Sequence, residues 1–410
     1  MPRATGVRGF LERLDRGPVI GDGGFVFALE KRGYVEAGPW TPEAVIEHPE
    51  AVKQLHREFL RAGADVCQAF TFYASEDKLK NRGHSAGSHG VKGINQAACD
   101  IVKEVTYPEG GLVAGGVSQT PSYITTRDKA LVQAEVRKQC EIFKKNEVDL
   151  MICEYYEHVE EAEWHVEAVK DFMPGTPVCA SLCINEDTDV HGVPTGECGV
   201  KLARAGADVI GINCHYDPFR CLDAVKKMIK NVKAAGFDKV HFMIQPLAFM
   251  TPDASVQGFI DLPEFPFALE PRICTRFEMQ RYAREAYEAG IRFIGGCCGF
   301  EPYHIRALSE ELSAERGGFE PASGMIGWGK CLEKHTKPWV RARASKEYWQ
   351  NLKPGTGRPH SSSFSKCDQW GITAGHELMS QHEEATGDEA LKKALEFKKR
   401  MENVEIIINA

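Results

Sequence analysis

No stretch of this 410-residue chain stays apolar for the ~20 residues that a membrane crossing needs. The opening segment, residues 1–16, is basic but lacks the apolar run of a secretory signal, so the cytosol is the expected compartment. Positive charge is not in excess either. Fifty Lys and Arg against 58 Asp and Glu leave a net charge of −8, which argues against a protein built to coat nucleic acid or an acidic membrane face. There is no His-Glu-x-x-His, and His376 and His382 do not form one. The usual hydrolytic zinc site, with neutral His ligands and a nearby general base, is therefore disfavoured. A complete Gly-x-Gly-x-x-Gly is missing as well: Gly21 and Gly23 begin one, but Val26 fills its last position. That weakens a doubly wound open sheet with a dinucleotide site.

What is present is an ordinary globular composition, 43% hydrophobic and 26% charged, in a chain long enough to bury a large core. Apolar runs at 19–24, 64–72, 112–118, 148–155, 178–183, 209–214, 240–245 and 293–297 read as eight strands. Helical patterns intervene, among them 49–62, 129–146, 158–172, 224–235 and 276–289. Glycine follows several of them (Gly63, Gly206, Gly236, Gly290), as expected of a helix stop. Eight alternating units predict an α/β fold, a closed parallel (β/α)8 TIM-type barrel over residues 1–316. In such a barrel the chemistry lies at the C-terminal strand ends, where Asp22, Tyr73, Glu154, Cys214, Gln245 and Cys297 fall. Residues 248–272, rich in proline and acid, are too long for an ordinary barrel loop and read as functional or interface-forming. Residues 317–410 change character. Trp328, Trp339, Tyr348, Trp349 and Trp370 lie among Gly, Pro, Ser and basic residues without helical or strand period. They read as an aromatic-rich C-terminal oligomerisation arm followed by helices.

Most of the 14 cysteines sit inside apolar runs and read as small buried thiols. Three differ. Cys297 and Cys298 lie in Gly295-Gly296-Cys297-Cys298-Gly299, and Cys214 ends the strand-like run 209–214 after Asn213. Adjacent cysteines on a regular strand point to opposite faces, so these two can share an ion only where the strand ends and glycine lets the backbone turn. Cys214 would reach the same barrel mouth. Three thiolates suit one soft tetrahedral ion, Zn2+, and leave a fourth position for a substrate sulfur. His215, beside Cys214, would face away on a strand and reads as structural.

At these residues, and over nearly the whole chain, the sequence resembles the zinc-dependent homocysteine S-methyltransferase family. The resemblance is carried by residues 21–34, 37–42, 70–75, Glu154-Tyr155, 211–215, 294–304 and 337–343. It implies a barrel whose single Zn2+ is held by Cys214, Cys297 and Cys298, with Tyr155 as an oxygen ligand while substrate is absent. It places Asp22 and Glu154 at the homocysteine amino group, helped by the backbone of Gly23 and Gly24. Two carboxylates at strand ends suit a cationic amine on physical grounds too.

The run from Asp22 to Phe25, together with Tyr73, looks like the branch that takes its methyl group from glycine betaine. Aromatic faces suit a trimethylammonium group. Trp40, Phe72 and Tyr73 are the aromatic candidates, and the positions matching Trp40 and Tyr73 belong to the family's betaine pocket. The products implied are dimethylglycine and methionine. S-methylmethionine as donor is the alternative, and a non-catalytic zinc-binding barrel a more distant one. Cobalamin is not implied: Asp189-Val190-His191 begins an Asp-x-His-x-x-Gly motif, but Pro194 takes the glycine position. The family resemblance suggests a dimer of dimers. The segment 81–93, Gly/Ser/His-rich, departs from the family and is expected to be a loop near the mouth. The apolar tail 402–410 departs as well, where the expectation is an added interface contact or no effect.

Overall fold

Each of the eight expected strands is found, and all of them pair in parallel. In this computed structural model, which describes residues 9–36, 40–80, 84–317, 330–345 and 347–348, they are β1 (Val19–Ile20), β2 (Val66–Gln68), β3 (Leu112–Ser118), β4 (Leu150–Tyr156), β5 (Val178–Leu182), β6 (Val209–Asn213), β7 (His241–Gln245) and β8 (Phe293–Ile294). The pairing runs β1-β8-β7-β6-β5-β4-β3-β2. A single parallel bridge between Gly21 and Val66 joins the two ends. Asp65 strengthens that seam, accepting from the Ile20 N–H at 2.9 Å while Arg316 donates to the same carboxylate at 2.9 Å. The result is the (β/α)8 barrel, and helices cover its outer face. This explains why β3 and β5 are buried along their whole length rather than alternating.

One cluster draws a side chain from every strand, including Val19, Val66, Leu150, Val209, Met243 and Phe293, and so fills the barrel interior. Phe10, on the helix Phe10–Arg16, joins it edge-on to Phe293 at 5.2 Å and plugs the floor. The open end is therefore the one where the C-terminal strand ends lie.

Helix bounds follow the sequence pattern closely. Pro49–Ala62 ends on Gly63 at φ 112° with its N–H returning to Leu60 and Phe59, a conformation that a β-carbon would strain. The helix expected at 224–235 begins earlier, at Pro218, because the Asp217 carboxylate caps it by accepting from the N–H groups of Phe219 and Arg220.

One expectation is corrected. From His84 onward the segment 81–93 is not a loop but the start of the helix His84–Thr106, broken only at Gly90 (φ 66°, ψ 171°). Buried Ala86, Ile94 and Ala98 give it an apolar face that overrides its Gly/Ser content.

The long segment 248–272 folds around a buried cation. Arg272, 1% exposed, donates to Asp253 at 2.7 and 2.9 Å and pairs with Glu264 at 3.1 Å. Phe259 and Phe265 pack edge-on at 4.9 Å, and the Phe259 N–H donates to the His215 carbonyl at 2.8 Å. The segment thus backs the end of β6. Among the described residues no helix is long and apolar enough to cross a membrane. Residues 318–329 and 349–410, with Trp328, Trp349, Trp370 and the 402–410 tail, lie outside the described residues, as does the side chain of Trp339.

Candidate metal and substrate site

A cavity opens at the C-terminal end of the barrel, bordered by Asp22, Trp40, Phe72, Glu154, Tyr155 and Cys297. Together with the open solvent at its mouth it encloses about 670 Å³.

The sulfurs of Cys214, Cys297 and Cys298 lie within 4.8 Å of one another. Cys214 and Cys298 are 3.6 Å apart, and Cys297 and Cys298 4.0 Å. Zn–S bonds of ~2.3 Å at tetrahedral angles separate ligand sulfurs by ~3.8 Å, so the donor set fits one zinc-sized ion. Cys214, Cys297 and Cys298 are free of disulfide, and among the described residues this is the cluster composed of three sulfurs. The two adjacent cysteines reach one point because β8 has already ended at Ile294 and the chain turns through Gly299. The turn is locked against the first loop: a β-carbon on Gly24 would stand 2.6 Å from the Cys297 carbonyl oxygen. Hydrogen bonding with Cys214 and Cys298 draws the Cys297 thiol well below its usual range. Burial first, then its sulfur neighbours, pushes Cys214 well up.

Asp22 and Glu154 both line the cavity. Burial pushes Asp22 up to about 7, opposed by the Gln68 N–H that donates to it at 2.8 Å. Burial also pushes Glu154 up to about 8, with the Cys297 charge adding to the shift. The Gln68 side chain donates to Glu154, so a single glutamine ties the two carboxyls together.

Glu154 and Tyr155 are consecutive in β4, yet both border the cavity. The β4–β5 register shifts between Cys153 and Tyr156, and Tyr155 adopts φ 68°. This irregularity turns two neighbouring side chains to one face, which a regular strand cannot do. Cys214 and His215 (both φ 55°), just past β6, are likewise left-handed, as is Tyr73 (φ 58°), which lies in the loop after β2 rather than at the strand end expected, because β2 stops at Gln68. Backbone strain at non-glycine residues thus gathers around this cavity.

The aromatic candidates form one cluster. Trp40 meets Phe72 edge-on at 5.3 Å, and Phe72 meets Tyr155 at 5.1 Å. Tyr73 packs on Phe72 at 4.1 Å and is not itself among the residues bordering the cavity. The Gln119 amide donates to its hydroxyl at 2.7 Å, and the Lys78 ammonium stands 3.8 Å from its ring centre.

Sequence reasoning missed three groups. Gln68 carries no motif signal. Asn213, next to Cys214, accepts from the Tyr155 N–H at 3.0 Å and from the Ser181 hydroxyl at 2.9 Å while its amide nitrogen lies 3.9 Å from the Cys297 sulfur. His215, read as structural, is buried with Nε2 2.8 Å from the Tyr155 hydroxyl. The signal available for both was their place in the Asn-Cys-His run at a strand end.

Residues 19–312 match the family described as homocysteine S-methyltransferase. Betaine–homocysteine S-methyltransferase 1 of Danio rerio is 62% identical over 387 residues, 94% of this chain and 96% of that protein. The Mus musculus protein of the same name is 58% identical over 96% of each chain. S-methylmethionine–homocysteine S-methyltransferase BHMT2 of Mus musculus is 54% identical over 88% of this chain and 97% of its own. Among solved structures, the metallated form of the homocysteine methyltransferase MmuM from Escherichia coli superposes with a TM-score of 0.56 at 20% identity, covering 72% of this chain and 96% of that one, a likeness of fold.

Proposed function

The chain belongs to the homocysteine S-methyltransferase family, and from that premise we propose that it transfers a methyl group from glycine betaine to homocysteine, giving dimethylglycine and methionine. The observation that carries this reading is the meeting, at one barrel mouth, of three cysteine sulfurs, two buried carboxyls and an aromatic wall. Betaine is favoured over S-methylmethionine as donor because the relatives named for betaine are more alike, 57–62% against 54%.

Cys214, Cys297 and Cys298 would hold a zinc ion, which when bound keeps thiols deprotonated and electron-rich at neutral pH. Asp22 and Glu154 receive the homocysteine ammonium, with the backbone of Gly23 and Gly24 beside them. Burial makes both carboxyls costly to ionise alone, and an arriving cation offsets that cost. The amino acid's ammonium therefore fixes where its sulfur lies.

Trp40 and Phe72, with Tyr73 behind them, present ring faces and edges to the trimethylammonium group. The substrate sulfur's lone pair forms the new bond to a methyl carbon while the C–N bond breaks, its electron pair staying on nitrogen. No proton moves in that step, so alignment is the main demand on the protein. The Asn213 contacts to Tyr155 and Cys297 hold the sulfur side and the aromatic side in one register. Tyr155, held by His215, is the oxygen donor that would stand near the ion before substrate arrives. In this reading residues 317–410 serve oligomerisation, and the enzyme works in the cytosol.

The test is methionine formation from homocysteine with betaine or S-methylmethionine as donor, alongside metal analysis. Betaine turnover by zinc-loaded protein is expected. Turnover with S-methylmethionine alone would overturn the choice of donor, and turnover with neither would overturn the reading itself.

A further inference from the structure

Behind the cavity lies a second convergence of ligating atoms that methyl transfer does not use. We propose that Asp22, His56 and Cys67 form a separate site for a borderline-soft divalent cation such as zinc or cadmium, in the layer between β1, β2 and the helix Pro49–Ala62. One ligand atom from each lies within 4.8 Å of the others, and all three residues are buried. The donors are an imidazole nitrogen, a sulfur and a carboxylate oxygen, the mixture such ions accept.

The independent pointer is His56. Its side chain is 0% exposed, and neither ring nitrogen has a hydrogen-bond partner among the described residues. A buried imidazole left so on both sides is costly, and such groups commonly mark an ion or an ordered water. Burial keeps the ring neutral, the form that ligates. Phe25, 4.5 Å from the ring, closes the pocket on one side. A carboxylate and a thiolate would balance a dipositive charge, which makes burying both tolerable.

Asp22 belongs to both places. It borders the cavity, and its carboxylate already accepts from the Gln68 N–H. An ion on His56 and Cys67 would draw that carboxylate away from a substrate ammonium, a consequence that rests on the functional reading above.

The test counts ions. Protein as isolated is dialysed against micromolar Cd2+, and zinc plus cadmium per chain is measured for the wild type, Cys67→Ala and His56→Phe, with thermal unfolding to check folding. The wild type should hold one ion more than either variant. Its near-ultraviolet thiolate-to-cadmium absorption should exceed that of Cys67→Ala by roughly a third, as four thiolates against three. Equal counts in the wild type and Cys67→Ala overturn the site, and an extra ion lost in neither variant does the same. Should His56→Phe fail to fold, Cys67→Ala, which removes a single sulfur, decides the matter alone. Methionine, which carries the ammonium without a free thiol, should bind the ion-loaded wild type about tenfold more weakly than the unloaded protein, and Cys67→Ala equally well under both conditions. An unchanged wild-type affinity overturns the link to Asp22. The ion count needs no turnover, so its failure is distinguishable from failure of the methyl-transfer reading.

Discussion

The Tyr155 hydroxyl and His215 Nε2 lie 2.8 Å apart inside the barrel wall, joining the end of β4 to the end of β6. Burial lowers His215 to about 3, so the imidazole is neutral at any working pH and its partner is the phenol. His215→Leu should leave one zinc per chain in place and lower kcat about tenfold, the scale of one buried hydrogen bond lost. Metal analysis beside steady-state kinetics checks this. Zinc loss equal to that of a cysteine variant would show that His215 supports the ion directly.

Cys214→Ala, Cys297→Ala and Cys298→Ala should each take the metal content from one per chain toward zero, because two sulfurs seldom retain what three hold at these spacings. Methionine formation should fall by about a thousandfold or more, as is usual when a site loses its main electrostatic element. Full turnover by metal-free protein would refute the cysteine cluster as the working centre.

Trp40→Ala should raise KM for betaine by roughly 5- to 30-fold, the range of a desolvated cation–π contact, and leave KM for homocysteine within about twofold. Trp40 is 5% exposed and packs edge-on to Phe72, so Trp40→Phe is the companion that keeps the wall filled. Equal effects on both substrates would remove Trp40 from the donor side.

Glu161 supplies a pH test away from the cavity. Burial pushes its carboxyl up to about 8 from 4.5, although the Thr120 N–H and hydroxyl both donate to it. The folded state therefore binds this proton more tightly than the unfolded chain. Its contribution to stability is whole below about pH 4.5 and is lost as pH rises through about 8, on the order of a few kcal/mol. Glu161→Gln keeps an acceptor for Thr120 and cannot ionise. Its melting temperature should fall less than the wild type's between pH 6 and 9, and parallel curves would count against the shift.

Much of this was legible in the chain. Strand positions showed because both faces of each strand are buried, leaving unbroken apolar runs, and Gly63 or Gly206 marks a helix end for a stereochemical reason. The convergence of Cys214, Cys297 and Cys298 showed because glycine framed the pair and a strand end framed the third. What stayed hidden depends on register. No pattern announces that β4 slips between Cys153 and Tyr156, so Glu154 and Tyr155 would be assigned to opposite faces by alternation alone. The Gln68 link between two carboxyls and the Asn213 contacts are meetings of residues far apart in sequence, with no local spacing to betray them. The 84–93 stretch misled because glycine and serine suggest a loop where the apolar face of Ile94 and Ala98 decides for helix.

The slip in β4 has an implication for how such a protein can change. Because one irregular step serves both the carboxyl that would meet the amino acid and the phenol paired with His215, a one-residue deletion there would unseat both at once. The aromatic side of the cavity has no such coupling: Trp40 and Phe72 come from separate loops and can be exchanged one at a time. Variation in the methyl donor should therefore be readily reached by substitution, while the sulfur acceptor stays tied to the backbone itself.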